Sequence, residues 1–173
     1  MATQYIYVQP VGKFEVDVLD KIMEALEHRF GLPTKLRPMI DVPQETYDKK
    51  RGQYHSTPIL DKLRVNIPQD AARVLGVTDV DLFVPELNFV FGEADPTSGV
   101  ALISLARLKD PNEAKYFARA IKEAVHELGH TIGLKHCKSP KCVMYFSNSL
   151  MDTDRKGADF CENCKRTAKI RKV

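Results

Sequence analysis

The chain has 173 residues, 43% of them hydrophobic, enough to bury one sizeable core and to form one domain. Its 26 basic residues stand against 23 acidic ones, and a net charge of +3 is too small to point to nucleic acid as a partner. No stretch approaches the roughly 18 consecutive apolar residues of a membrane span, and MATQYIYVQPVGKF at the amino end runs straight into strand-like sequence without a secretion-signal pattern. The expected setting is therefore the cytoplasm, with no membrane partner.

In chain order, Tyr5 to Val8 reads as a strand. Glu15 to Phe30 has helical spacing through Val18, Leu19, Ile22, Leu26 and Phe30 and is stopped by Gly31 and Pro33. Thr34 to Pro38 suggests a short second strand, and the polar stretch Asp41 to Tyr54 a surface excursion. Ser56 and Pro58 open a helix through Leu60 and Leu63, and another helical piece is expected near Ala71 to Leu75. Val80 to Pro85, Phe89 to Glu93 and Val100 to Leu108 have strand composition, the last two joined as a hairpin through residues 94 to 99. Early alternation of strand and helix followed by a hairpin predicts an α/β (α+β) sheet, mostly parallel, with one antiparallel member.

Asp110, Pro111 and Glu113 combine an N-cap residue, a first-turn proline and a capping-box acid, so a long helix should start there. Ala114, Phe117, Ala118, Ile121, Ala124, Val125, Leu128 and Ile132 fall on one side of its wheel, and His126 and His130 on nearly the opposite side. Gly133 ends the helix, after which His136 can return toward the first two histidines. The residues from 126 to 136 are HELGHTIGLKH. A catalytic zinc takes three protein ligands and keeps one position open, which His126, His130 and His136 can supply. Glu127, beside a ligand but not one itself, suits a general base that later returns its proton to the leaving amine. Chance coincidence of these five positions is on the order of 10⁻⁵, so a polar helix face without metal is a poor explanation. A purely structural metal would have no need of Glu127.

The motif His-Glu-x-x-His-x-x-Gly-x-x-His is matched in full and resembles that of the metzincin clan of zinc peptidases. The chain is most similar to archaemetzincins, through Cys137, Cys142 and Met144 after the third histidine, then Cys161 and Cys164, in a signature running from Glu123 to Cys164. VFGEADPTSGVALISLARL, residues 90 to 108, also resembles that family's strand and hairpin region. The resemblance implies a metzincin-like zincin fold: a twisted, five-stranded mixed sheet, an active-site helix beneath a cleft, and a small zinc-pinned carboxyl-terminal part. It also implies an antiparallel edge strand that takes up extended peptide, expected around Asn88 to Glu93. Met144 is implied as the Met-turn residue, an apolar floor under the imidazoles. Phe146 stands where some metzincins carry a zinc-interacting tyrosine, so Tyr145 receives no catalytic role.

Four cysteines in two pairs, Cys137 with Cys142 and Cys161 with Cys164, suit a closed four-thiolate zinc site, with disulfides as the competing reading. The expected cofactors are thus two zinc ions, one catalytic and one structural. Residues 1–136 form the larger part of a single metallopeptidase domain, and 137–173 a small subdomain carrying the cysteine site. Lys165, Arg166, Lys169, Arg171 and Lys172 make the end basic, but solvated helix ends often carry such residues, so nucleic acid is not the expected partner. The sequence therefore predicts a monomeric zinc peptidase that hydrolyses small or selected peptides. The alternatives are a zinc-stabilised peptide-binding module with weak or no cleavage and, behind it, a nucleic-acid-binding zinc module.

Overall fold

A parallel strand–helix–strand unit begins the computed structural model, which describes residues 2–169. Strand β1 (Tyr5–Val11) lies parallel to both β2 (Thr34–Leu36) and β5 (Ala71–Thr78), with helix α1 (Asp17–Phe30) crossing between β1 and β2. Strand β8 (Val100–Ser104) continues the parallel run beside β5, and β7 (Gly92–Asp95) closes it as an antiparallel edge. The order β2-β1-β5-β8-β7 is the five-stranded mixed sheet that the family resemblance implies, with the one antiparallel member that the element order predicts. A second, three-stranded sheet joins β3 (Tyr47–Asp48), β4 (Gln53–His55) and β6 (Leu82–Phe83).

The large sheet is covered on both faces. Ile6, Val8, Leu75, Val77, Ala101 and Ile103 share one core with α1 and with helix α3 (Glu113–Thr131). Val11, Val74, Val100 and Leu102 form a second core with Ile59, Leu60 and Leu63 of helix α2 (Ser56–Leu63). Two short helices, α4 (Leu150–Arg155) and α5 (Glu162–Thr167), complete the described chain.

The segment 71–75, expected to be helical, is instead the start of β5, the central strand, with parallel neighbours on both sides. Because both faces of the strand are packed, its apolar residues run consecutively through Val74, Leu75 and Val77 and show no period of two. Gly76 interrupts that run because a Cβ there would collide with Leu63 Cδ1, so the glycine admits α2 onto the sheet.

Other departures are in boundaries. Helix α3 starts at Glu113 with Asn112 as its cap, Asn112 Oδ1 accepting from the Lys115 N–H at 3.1 Å, whereas Asp110 Oδ1 accepts from the Asn112 N–H two residues earlier. The edge strand begins at Gly92, so the expected 88–93 strand is displaced toward the hairpin, with only Val90 bridged to Leu82 before it. The hairpin turn itself is built by Asp95, whose carboxylate accepts from the Thr97 and Ser98 N–H groups, and by Gly99 at φ +71°.

Candidate active site and metal centres

Helix α3 packs Ala120, Ala124, Val125 and Leu128 into the core beneath the sheet, so the helix is held rigidly along the half that carries His126, Glu127 and His130. Past Thr131 the chain turns at Gly133, at φ +90°, and brings His136 back. The three imidazoles meet with ring centroids 4.8, 5.0 and 5.3 Å apart. His126 and His130 approach through Nε2 at 3.1 Å, close to the ~3.3 Å separation of two nitrogens on a tetrahedral zinc. Their opposite ring nitrogens are tied to main chain: His126 Nδ1 donates to Val143 O at 2.8 Å and His130 Nδ1 to Leu134 O at 2.7 Å. With the Nδ1 positions carrying the protons, the Nε2 lone pairs converge, the tautomer that suits a metal. Burial lowers the pKa of all three, that of His126 to about 2, with the Lys156 ammonium adding to the effect. Neutral rings are the ligating form.

Met144 is fully buried, and Gly129 on the helix leaves the space it fills. A Cβ at residue 129 would collide with Met144 Sδ and come within 3.1 Å of Phe160. Gly92 has the same relation to Glu127, where a Cβ would sit 2.7 Å from Glu127 Cγ. Glu127 is 8% exposed, and its pKa is pushed up to about 8, first by burial and then by Glu123 and Glu93, with Lys156 opposing.

Lys156 is wholly buried, its Nζ 3.1 Å from Glu123 Oε1 and 3.5 Å from His126 Nδ1. Thr153 Oγ1 donates to the same carboxylate at 3.2 Å. Arg119 adds a bidentate pair to Asp154 at 2.7 and 2.8 Å, so α4 is strapped along α3. Sequence reading missed these supports, apart from Glu123 as the start of a signature. The one available signal was Gly129, because an interior helical glycine costs about 1 kcal/mol and asks for a packing reason. Nothing local marks Lys156 among the chain's other lysines.

Over the helix lies a cleft of 450 Å³. Its floor is Glu123, His126, Glu127 and His130, one wall is the segment 87–92, and the other is formed by His136 and residues 146–148. The ring of Phe146 lies 5.0 Å from that of His136.

The four cysteines form a second cluster. Cys137 Sγ lies 3.8 Å from Cys161 Sγ, and Cys142 Sγ 3.8 Å from Cys164 Sγ. These distances far exceed the ~2.05 Å of a disulfide and equal the ~3.8 Å edge of a tetrahedral four-thiolate zinc site. All four are free cysteines, and their ligand atoms fall within 4.8 Å of one another. Cys161 stands at the N-terminal boundary of α5, and the nearby backbone N–H of Cys164 draws its thiol pKa down to about 7. Burial pushes the Cys142 and Cys164 thiols up. The donor sets of both clusters thus fit zinc. Of the basic tail, Lys165 pairs with Glu162 at 3.2 Å, while Arg171 and Lys172 lie outside the described residues.

The model of peptidase family M54 matches residues 4–171. An archaemetzincin of Methanocaldococcus jannaschii is 44% identical, over 97% of this chain and 94% of its own. The crystal structure of an archaemetzincin from Methanopyrus kandleri superposes with a TM-score of 0.87 at 37% identity, covering 96% of this chain and 94% of that one. That of a zinc-dependent peptidase from Methanocorpusculum labreanum gives 0.85 at 30% identity, covering 94% and 99%. Fold and site together define a zinc metallopeptidase, a hydrolase. Within that class the chain belongs to peptidase family M54, the archaemetzincins.

Proposed function

We propose that His126, His130 and His136 hold a catalytic zinc, that Glu127 is the general base for peptide-bond hydrolysis, and that Cys137, Cys142, Cys161 and Cys164 hold a second, structural zinc. One observation carries the catalytic reading: His126 and His130 are locked through Nδ1 by the Val143 and Leu134 carbonyls, so their Nε2 atoms converge beside a carboxylate at the base of an open cleft. A zinc ion held there supplies Lewis acidity, polarising a carbonyl oxygen and acidifying water.

The chain's own groups do the rest. Glu127 accepts a proton from water at a carboxylate oxygen and passes it to the departing amine nitrogen. Met144 underlies the imidazoles as the Met-turn floor and keeps their surroundings apolar. The thiolate site begins at the residue after His136 and ties the carboxyl-terminal part to the third ligand's loop, with Cys137 N–H donating to Met144 O at 2.9 Å.

The chain divides in this reading into a larger part, 1–136, and a cysteine-pinned part, 137–173, of one domain. A cleft of this size suits small or selected peptides better than folded proteins. Four free thiols fit a reducing compartment, so the proposed setting is the cytoplasm, with the chain acting as a monomer and without nucleic acid. Among the described residues no helix is long and apolar enough to cross a membrane.

The test is Glu127→Gln. Peptide hydrolysis should fall by about 10²–10⁴-fold while elemental analysis still finds both zinc equivalents. Undiminished cleavage would remove Glu127 from its role, and one zinc equivalent in the wild type would remove one of the two sites.

A further inference from the structure

The loop 85–91 turns at residues 85–86, lines the cleft from Leu87 to Phe91 as one of its walls, and has sparse main-chain pairing. Leu87 N–H donates to Val84 O, Val90 N–H to Leu82 O, and Phe91 O accepts from Ser104 N–H. Three successive points on the loop are instead tied by side chains of the 47–55 hairpin. Arg51 donates through Nη1 to Leu87 O at 2.8 Å and through Nη2 to Pro85 O at 3.1 Å, its guanidinium 4.3 Å above the Phe83 ring. Gln53 Nε2 donates to Asn88 O at 2.9 Å and to Asp81 Oδ2 at 3.0 Å. Asp81 also takes a bidentate pair from Arg107 at 2.7 and 2.8 Å, and that guanidinium lies 4.2 Å from the ring of Phe89 in the wall. The stretch that reads in sequence as a surface excursion therefore fixes the main chain of the cleft wall, while Arg107, paired with the same Asp81, holds its Phe89 ring.

What the wall presents is uncharged. Apart from the histidines, Glu123 and Glu127, the cleft lining among the described residues carries no ionisable side chain. Leu87 and Phe146 both line it, each 51% exposed. A charged substrate side chain lying there would lose water without gaining a partner, whereas an apolar one would gain contact area.

We propose that Arg51, backed by Gln53, is a positioning residue for the 85–91 wall, and that the wall so held selects extended peptides with apolar side chains beside the scissile bond. The selectivity half rests on the peptidase reading above; the bracing half does not. Holding the loop in its binding shape before the peptide arrives removes an ordering cost from binding and leaves the chemical step alone. Arg51 is exposed, so its replacement opens no hole in a core. Lysine at the same place cannot fork to two carbonyls.

The experiment compares wild type, Arg51→Ala and Arg51→Lys in two assays. The first measures zinc content and steady-state cleavage of matched peptides carrying leucine or phenylalanine, against aspartate or lysine, beside the scissile bond. The second measures amide hydrogen exchange across residues 85–91. In both variants KM for apolar peptides should rise about tenfold, with kcat within about twofold, full zinc content and faster exchange at 85–91. Unchanged exchange overturns the bracing. Faster exchange with unchanged KM, or a wild type that prefers charged side chains, overturns the selectivity. If wild type cleaves neither series while exchange still quickens in Arg51→Ala, the peptidase reading fails and the bracing stands.

Discussion

The imidazole cluster takes two of its three side chains from one helix packed against the sheet and the third from an exposed loop, whereas the thiol cluster draws on loops and the six-residue α5. The imidazoles of His126 and His130 each already have a main-chain partner for the nitrogen that faces away from the cluster. The thiols have one another and backbone N–H groups, among them those of Ser139, Cys161 and Cys164. On the proposed two-zinc reading, the first cluster is thus arranged by the fold, and the second arranges the fold around it. The same metal chemistry can be bought with a hydrophobic core or can substitute for one. Residues 137–169 offer few apolar side chains for packing beyond Val143, Met144, Leu150, Phe160 and Ala168, so in the proposed reading a zinc held by the four thiols would stand where a core otherwise holds the chain.

Breaking each cluster in turn should expose that contrast most strongly. Cys164→Ala should lower Tm by about 10 °C or more in scanning calorimetry, because metal energy is folding energy at that site. His130→Ala should lose one zinc equivalent by elemental analysis yet shift Tm by only a few degrees. Equal Tm losses would place both sites in the same structural role.

The strap between the two regions comes next. Lys156→Met leaves Glu123 buried without its cation and should cost about 3–5 kcal/mol in denaturant unfolding. Adding Glu123→Gln should recover most of that, since a buried ion pair is worth little over a neutral replacement of similar shape. A double variant as unstable as the single would mean that Lys156 matters through packing alone.

Gly129→Ala should cost about 1–3 kcal/mol through its collision with Met144, and should also weaken zinc binding at the histidines, measured by competition with a chromophoric chelator. The smallest effect belongs to Asn112→Ala at the far end of the same helix. Losing that cap should cost about 1 kcal/mol in unfolding and leave zinc affinity unchanged, which separates helix stability from ligand positioning.

Much of this was legible from local pattern. HELGHTIGLKH places two imidazoles on one helical face and a third past a glycine, and the structure brings all three together as that spacing predicts. The paired cysteines likewise converge. Helices α1 and α2 and the β7–β8 hairpin follow from apolar periodicity and turn residues near the expected places. Strand β5 was misread because a strand buried on both faces loses its alternation.

What only the tertiary structure decided are relations between residues distant in the chain. Glu123 and Lys156, 33 positions apart, become an ion pair at the back of His126; Gly129 makes room for Met144, and Gly92 for Glu127. Part of the polar excursion expected at 41–54 becomes the brace of a cleft wall more than thirty residues downstream. Metal-ligand spacing is written in the sequence because one helix and one turn fix it within eleven residues. The groups that orient those ligands meet only when the sheet, its two cores and the carboxyl-terminal strap close on one another, and no local rule of spacing encodes that meeting.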